Sequence, residues 1–135
     1  MTTLQELQLD VEAIDRALVE LSSSARAIAA GTAVAARSDL EPLIAFFERT
    51  VHGSHSRASA ELLHRDAEHD ARQGRGLLGI LRHNVDRIDG STLARRQFFH
   101  AARAYVTVRH AHVEDERRCI AALERVDTKH ESARN

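Results

Sequence analysis

The 135-residue chain has no tryptophan, one cysteine, one proline, one tyrosine and six glycines. Each scarcity excludes something. Cys119 alone cannot close an intrachain disulfide, which fits a reducing, cytoplasmic setting. So few helix breakers, beside abundant Ala, Leu and Arg, point to an all-helical protein. No apolar run approaches the roughly 18–20 residues needed to cross a bilayer. The opening MTTLQELQLD is polar and amphipathic, unlike a secretory signal. Neither sign of charge dominates: 19 basic and 20 acidic residues leave a formal net charge of −1. They are interspersed, so no nucleic-acid or acidic-substrate partner is indicated. A Gly-rich phosphate loop, a Ser/His/Asp set and paired catalytic carboxylates are all missing, which leaves hydrolase and nucleotide readings without support and favours a non-enzymatic role.

What is present is one domain, residues 1–135, long enough for a single core. It carries nine histidines, a high number for its length. Leu4, Leu7, Val11, Ile14, Leu18, Leu21, Ala25 and Ile28 recur in steps of three and four, one apolar seam of a helix over about residues 4–30. Thr2 or Thr3 can cap its start and Gly31 its end. Asp39 reads as the next N-cap, with Glu41 and Pro42 in the first turn. Leu40, Leu43, Ile44, Phe47 and Val51 give that helix its buried stripe. His52 is expected near its end, where a partial positive charge is favourable.

Two readings compete for residues 56–76. The second helix stops at Gly53 and a third runs over about 56–89, or the second continues to Arg72 and turns at Gly74-Arg75-Gly76. Counting from the turn at Asp89-Gly90-Ser91 favours the first. It sets His69 level with His112, each roughly 32 Å from the turn at 1.5 Å per residue. The helices then span about 4–30, 39–53, 56–89 and 92–126, with a kink at Gly74 and Gly76. The third seam includes Leu77, Leu81, Val85 and Ile88, the last Leu93, Phe98 or Phe99, Ala102, Tyr105 or Val106, Val113, Ile120 and Leu123. The tail after Asp127 is expected to fray.

His112 and Glu116 stand four residues apart, one above the other on one helical face. Such a pair can form a surface hydrogen bond. It can also hold one cation between helices, as inward His and Glu residues do in carboxylate di-iron bundles.

The run Tyr105-Val-Thr-Val-Arg-His-Ala-His112-Val-Glu-Asp-Glu116-Arg-Arg-Cys-Ile-Ala-Ala-Leu resembles the last helix of the hemerythrin-like, HHE cation-binding domains. Glu68-His69 resembles the Glu-His of that family's third helix. Ser54-His55-Ser56-Arg57, followed by Leu62-Leu63, resembles its second, and Asp10-Val11-Glu12-Ala13-Ile14 its opening Glu-His-x-x-Ile. The resemblance implies an antiparallel up-down four-helix bundle holding non-haem iron, with oxygen or nitric oxide as the small ligand. It implies His69, His112 and Glu116 as ligands, with His55 a further candidate and Glu12 a conceivable substitute. The chain departs from the pattern at Val11, which replaces a ligating His, and at Ala58 and Ser59, which replace acids. On one continuous helix His55 and His69 would stand roughly 21 Å apart. A mononuclear or degraded site is therefore expected rather than a two-iron centre, with three protein ligands leaving open positions.

Two other classes compete. One is a metal-free helical interaction module, with the first-helix seam serving a homodimer. The other is a phosphorelay-type bundle using His55, which lacks the Lys-Gly such modules carry after their histidine. Glu61-Leu-Leu-His64 matches Glu-x-x-His only once and reads as a surface face, and His83, His100 and His110 as surface histidines.

Overall fold

The computed structural model describes residues 3–31, 37–63 and 68–134; within the helices, the side chains of residues 37–38, 68–70 and 127–134 lie outside the description. All regular structure among these residues is helical, in four rods. The rods are α1 (Leu4–Ala30), a second built from α2 (Arg37–Phe46), a π-helical stretch (Phe47–His55) and α3 (Ser56–Leu63), then α4 (Glu68–Val85) and α5 (Thr92–Arg134).

The ends of α1 follow from side-chain chemistry. Thr3 Oγ1 accepts the amide of Glu6 at 3.1 Å, and Gly31 adopts the left-handed conformation (φ 67°) that ends the helix. At the α4–α5 turn, Ser91 Oγ accepts the amide of Ala94 at 3.1 Å, and Arg95 donates to the carbonyl of Ile88 at 2.9 Å. The expected turn at Asp89-Gly90-Ser91 is therefore present.

The expected break at Gly53 is not. The backbone stays helical from Arg37 through Leu63, with Ser56 itself in the right-handed helical region (φ −58°, ψ −42°). In the π stretch each bond reaches one residue further, so the chain absorbs extra residues without stopping. Gly74 and Gly76 make no turn either; both lie inside α4. The tail does not fray at residue 127, since α5 continues to Arg134 with no proline or glycine to interrupt it.

The core runs the length of the molecule. The α1 seam is buried as read, from Leu7 to Ile28, and meets Leu40, Ile44, Phe47 and Val51 of the second rod. Phe98, Tyr105, Val113 and Ile120 of α5 face the same interior, with Phe47 edge-on to Tyr105 at 5.1 Å between ring centroids. Each fully buried side chain of this size contributes about 1.5–3 kcal/mol. α5 packs along both α1 and α4, and α4 also touches α2 and the π stretch. Leu93, expected in the core, is 62% exposed in the first turn of α5, and on α4 Leu78 takes the buried place expected for Leu77. Among the described residues no helix is long and apolar enough to cross a membrane.

Candidate metal centre

The inward face of α5 carries a polar column. Tyr105, Arg109, His112 and Glu116 follow at steps of four, three and four, and all four are buried. They interrupt an otherwise apolar face between Phe98 and Ile120. Two histidines of the π stretch stand against this column, and their spacing of three residues brings both to the α5 side.

The lower group centres on Glu116, which is fully buried. Its Oε2 accepts from His55 Nε2 at 2.6 Å, and its Oε1 lies 3.1 Å from His112 Nε2. The second contact is an ion-pair approach and not a well-angled hydrogen bond, so Oε1 has no hydrogen-bond partner among the described residues. His55, 1% exposed, turns its other nitrogen to Asp10 Oδ2 at 3.3 Å, and Asp10 is 41% exposed. The centre is thus a chain: His112, Glu116, His55, Asp10.

The charges follow from this order. Burial pushes the Glu116 carboxyl up, but its contacts with His112 and His55 outweigh that and hold it at about 2. Burial would lower His55; the hydrogen bond and charge of Glu116, then those of Asp10, raise it instead. The rise favours the imidazolium, which can donate to a carboxylate from each ring nitrogen.

The upper group is His52 with Tyr105, at 2.9 Å between Nε2 and the phenol oxygen. Burial, helped by the positive charges of Arg109 and Arg75, lowers His52 to about 4, and burial raises the Tyr105 phenol. Both groups are held neutral, and the His52 tautomer sets which of Nε2 and the phenol oxygen donates in this bond. This corrects the reading of His52 as a charged helix-end residue. α4 comes close enough to cover this pair only because residue 74 is glycine: a Cβ there would sit 2.6 Å from His52 Cε1.

The residues expected as ligands have different fates. His55, His112 and Glu116 converge. The side chain of His69 lies outside the described residues, though its backbone is in the first turn of α4. Glu12 is 47% exposed and is bonded at 3.1 Å to Arg117, which also bonds Asp15 at 3.1 Å and Glu114 at 2.7 Å. The first-helix acid that reaches the centre is Asp10. Val11 is buried in the core, and Ala58 and Ser59 are buried where the family pattern has acids. The Glu61–His64 pair falls partly outside the described residues, and Glu61 is exposed. His83, His100 and His110 are exposed, as read.

Asp10, Arg109 and the pairing of His52 with Tyr105 were not singled out from sequence. On α5 only the His112–Glu116 pair was singled out; the 4-3-4 spacing that adds Tyr105 and Arg109 was the available signal, and Asp10 had none beyond its place beside Val11. A groove of about 760 Å³ between α4 and α5, lined by Ile80, Asn84 and Arg96 among others, takes none of these residues.

A scan against protein-family models, and searches of curated proteins and of solved structures, find no match to this chain.

Two imidazoles and one carboxylate are a donor set suited to iron or zinc. Buried Glu116 Oε1, which among the described residues accepts no well-angled hydrogen bond and lies 3.1 Å from an imidazole nitrogen, is a position a cation would satisfy. As they stand, the side chains are hydrogen-bonded to one another, and among the described residues no group of three or more His, Cys, Asp or Glu is arranged around a common point.

Proposed function

We propose that the chain is a hemerythrin-like metal-binding domain, an antiparallel up-down four-helix bundle, in which His55, His112 and Glu116 are the ligands for a non-haem iron. The observation that supports this best is the convergence of two imidazoles on a carboxylate with no solvent access. Among the described residues Glu116 is compensated by His112 and His55, whose place as cations a divalent ion can take. When bound, iron supplies a redox-active cation with open positions for oxygen or nitric oxide. The protein's part is to hold Glu116 ionised, to aim His55 by the Asp10 contact and to keep water out with Val11, Val113 and Ile120. The setting is cytoplasmic and the role one of binding or sensing.

Elemental analysis of protein expressed in iron-replete medium tests this. Iron retained by the parent and lost from the double variant His112→Ala with Glu116→Ala supports it. Iron-free parent, with no absorption change on anaerobic iron addition, refutes it.

A second reading has its own observation. The centre is already closed by hydrogen bonds, and the family's other ligand positions hold buried Val11, Ala58 and Ser59. A metal-free interaction module, assembling as a homodimer, predicts that the same double variant keeps its oligomeric state and loses no metal. Phosphotransfer through His55 has no comparable support, because the ring is 1% exposed and bonded at both nitrogens.

A further inference from the structure

α1 and α5 enclose a cleft of about 370 Å³ on the side of α5 away from the histidine centre. Its walls include Ser22 and Arg26 from α1, and Phe99, Arg103, Val106 and Thr107 from α5. No acid lines it. Among the described residues neither guanidinium has an ion-pair or hydrogen-bond partner. Other arginines have no partner among the described residues either, but here two from different helices share one cleft. Two like charges in one cleft repel, so the fold gains nothing from placing them together. An anion between them reverses the sign of that interaction. Guanidinium forks bind carboxylate and phosphate oxygens in pairs, and the hydroxyl of Ser22 can add a further bond; that of Thr107 is already donated to the Arg103 carbonyl at 3.0 Å.

The cleft does not stop there. Ser22, Arg26 and Val106 also border a second hollow of about 490 Å³, whose walls add Leu18 and Val19. Val19 is 66% exposed, a large apolar side chain with no cover. Asp15 at the far end is already bonded to Arg117 at 3.1 Å. The two hollows adjoin to form one trough, with Arg26 and Arg103 in the first and Leu18, Val19 and Val106 giving the second its apolar floor beside Ser23, His110 and Asp15.

We infer that this trough binds an amphiphilic anion, an aliphatic chain carrying a carboxylate or phosphate monoester, with the head between Arg26 and Arg103 and the tail over Leu18, Val19 and Val106. The site is separate from the histidine centre and does not depend on a metal there.

Calorimetric titration of the full chain with decyl phosphate, decanoate, decanol and inorganic phosphate tests it, each amphiphile kept below its micelle concentration. The trough predicts saturable binding of decyl phosphate or decanoate, the tighter of the two identifying the head group. It predicts much weaker binding of decanol and of phosphate alone. Arg26→Gln with Arg103→Gln should lower the affinity by more than about tenfold. Arg96→Gln, in the α4–α5 groove, should leave it unchanged. Val19→Asp should weaken the amphiphile and not phosphate. Both arginines are exposed, so the variants should keep the parent's circular dichroism and melting point. Decanol binding as tightly as the anions, phosphate binding as tightly as decyl phosphate, an undiminished double variant, or no binding of either anion would each overturn the proposal.

Discussion

Glu116 is ionised at a point water does not reach, and its neighbours are imidazoles. Removing one partner of a buried ion pair strands the other charge, so Glu116→Ala should destabilise the chain by about 3 kcal/mol in urea denaturation at neutral pH, and Glu116→Gln by less. The histidines give stability opposite pH slopes. His52 is depressed to about 4, so its contribution is complete above its unfolded value of 6.5 and is lost as pH falls through 4. Glu116, depressed to about 2, contributes above its unfolded value of 4.5 and loses that contribution as pH falls through 2. His55 is raised, so its contribution is complete below 6.5 and is lost as pH rises through its higher folded value. Melting temperature should therefore fall on both sides of mildly acidic pH. His52→Gln should flatten the limb between pH 6.5 and 4, by on the order of 2 kcal/mol once solvent screening of a half-buried ring is allowed for. At Gly74 propensity and packing oppose each other. Alanine gains about 1 kcal/mol of helix propensity, but its Cβ would meet the His52 ring. Gly74→Ala should cost about 1–3 kcal/mol net. Combining it with His52→Ala should remove most of that penalty, and a double-mutant cycle measures the coupling.

The π-helical stretch is the element that places the centre. It presents His52 to Tyr105 and His55 to Glu116 within one continuous rod. Ser54 is exposed between them. Deleting Ser54 turns everything after it by about 100° relative to what precedes it. The two pairings can then no longer coexist. Histidine NMR of the deletion variant should show one of the two pairs lost, while circular dichroism stays helical. The stretch also explains how far the elements were legible. The α1 seam and the stripe from Leu40 to Val51 could be read because apolar residues recur at a fixed helical period. Gly53 invited a break because a glycine among polar residues usually ends a helix. A π stretch has no such local signature. Gly74 looked like a kink, whereas its reason for being glycine is a ring on another helix, which no local pattern reveals. Leu93 sits in an apolar register of α5 but precedes the point where its neighbours begin to cover it.

At the scale of the molecule, α5 connects everything described. One face carries the buried polar column, another meets α1 through the Arg117 cluster, and the cleft of Arg26 and Arg103 lies along the same contact. His112 and Glu116 could be read from their spacing alone. His55 was expected beside them only through the resemblance, and Asp10 not at all, because Asp10, His55 and Glu116 are separated by most of the chain. Glu12 was the substitute expected from the first helix; the structure gives it to Arg117, and Asp10, two residues earlier, meets His55. The claim on which the rest depends is that His55, His112 and Glu116 form one cation site. It is tested most directly by anaerobic titration with ferrous iron, followed through the imidazole resonances of ¹⁵N-histidine-labelled protein. The centre predicts that His55 and His112 shift or broaden together, saturate at a stoichiometric ratio, and lose the response in Glu116→Gln. Perturbation of the exposed His83, His100 and His110 alone, or none at all, would contradict it.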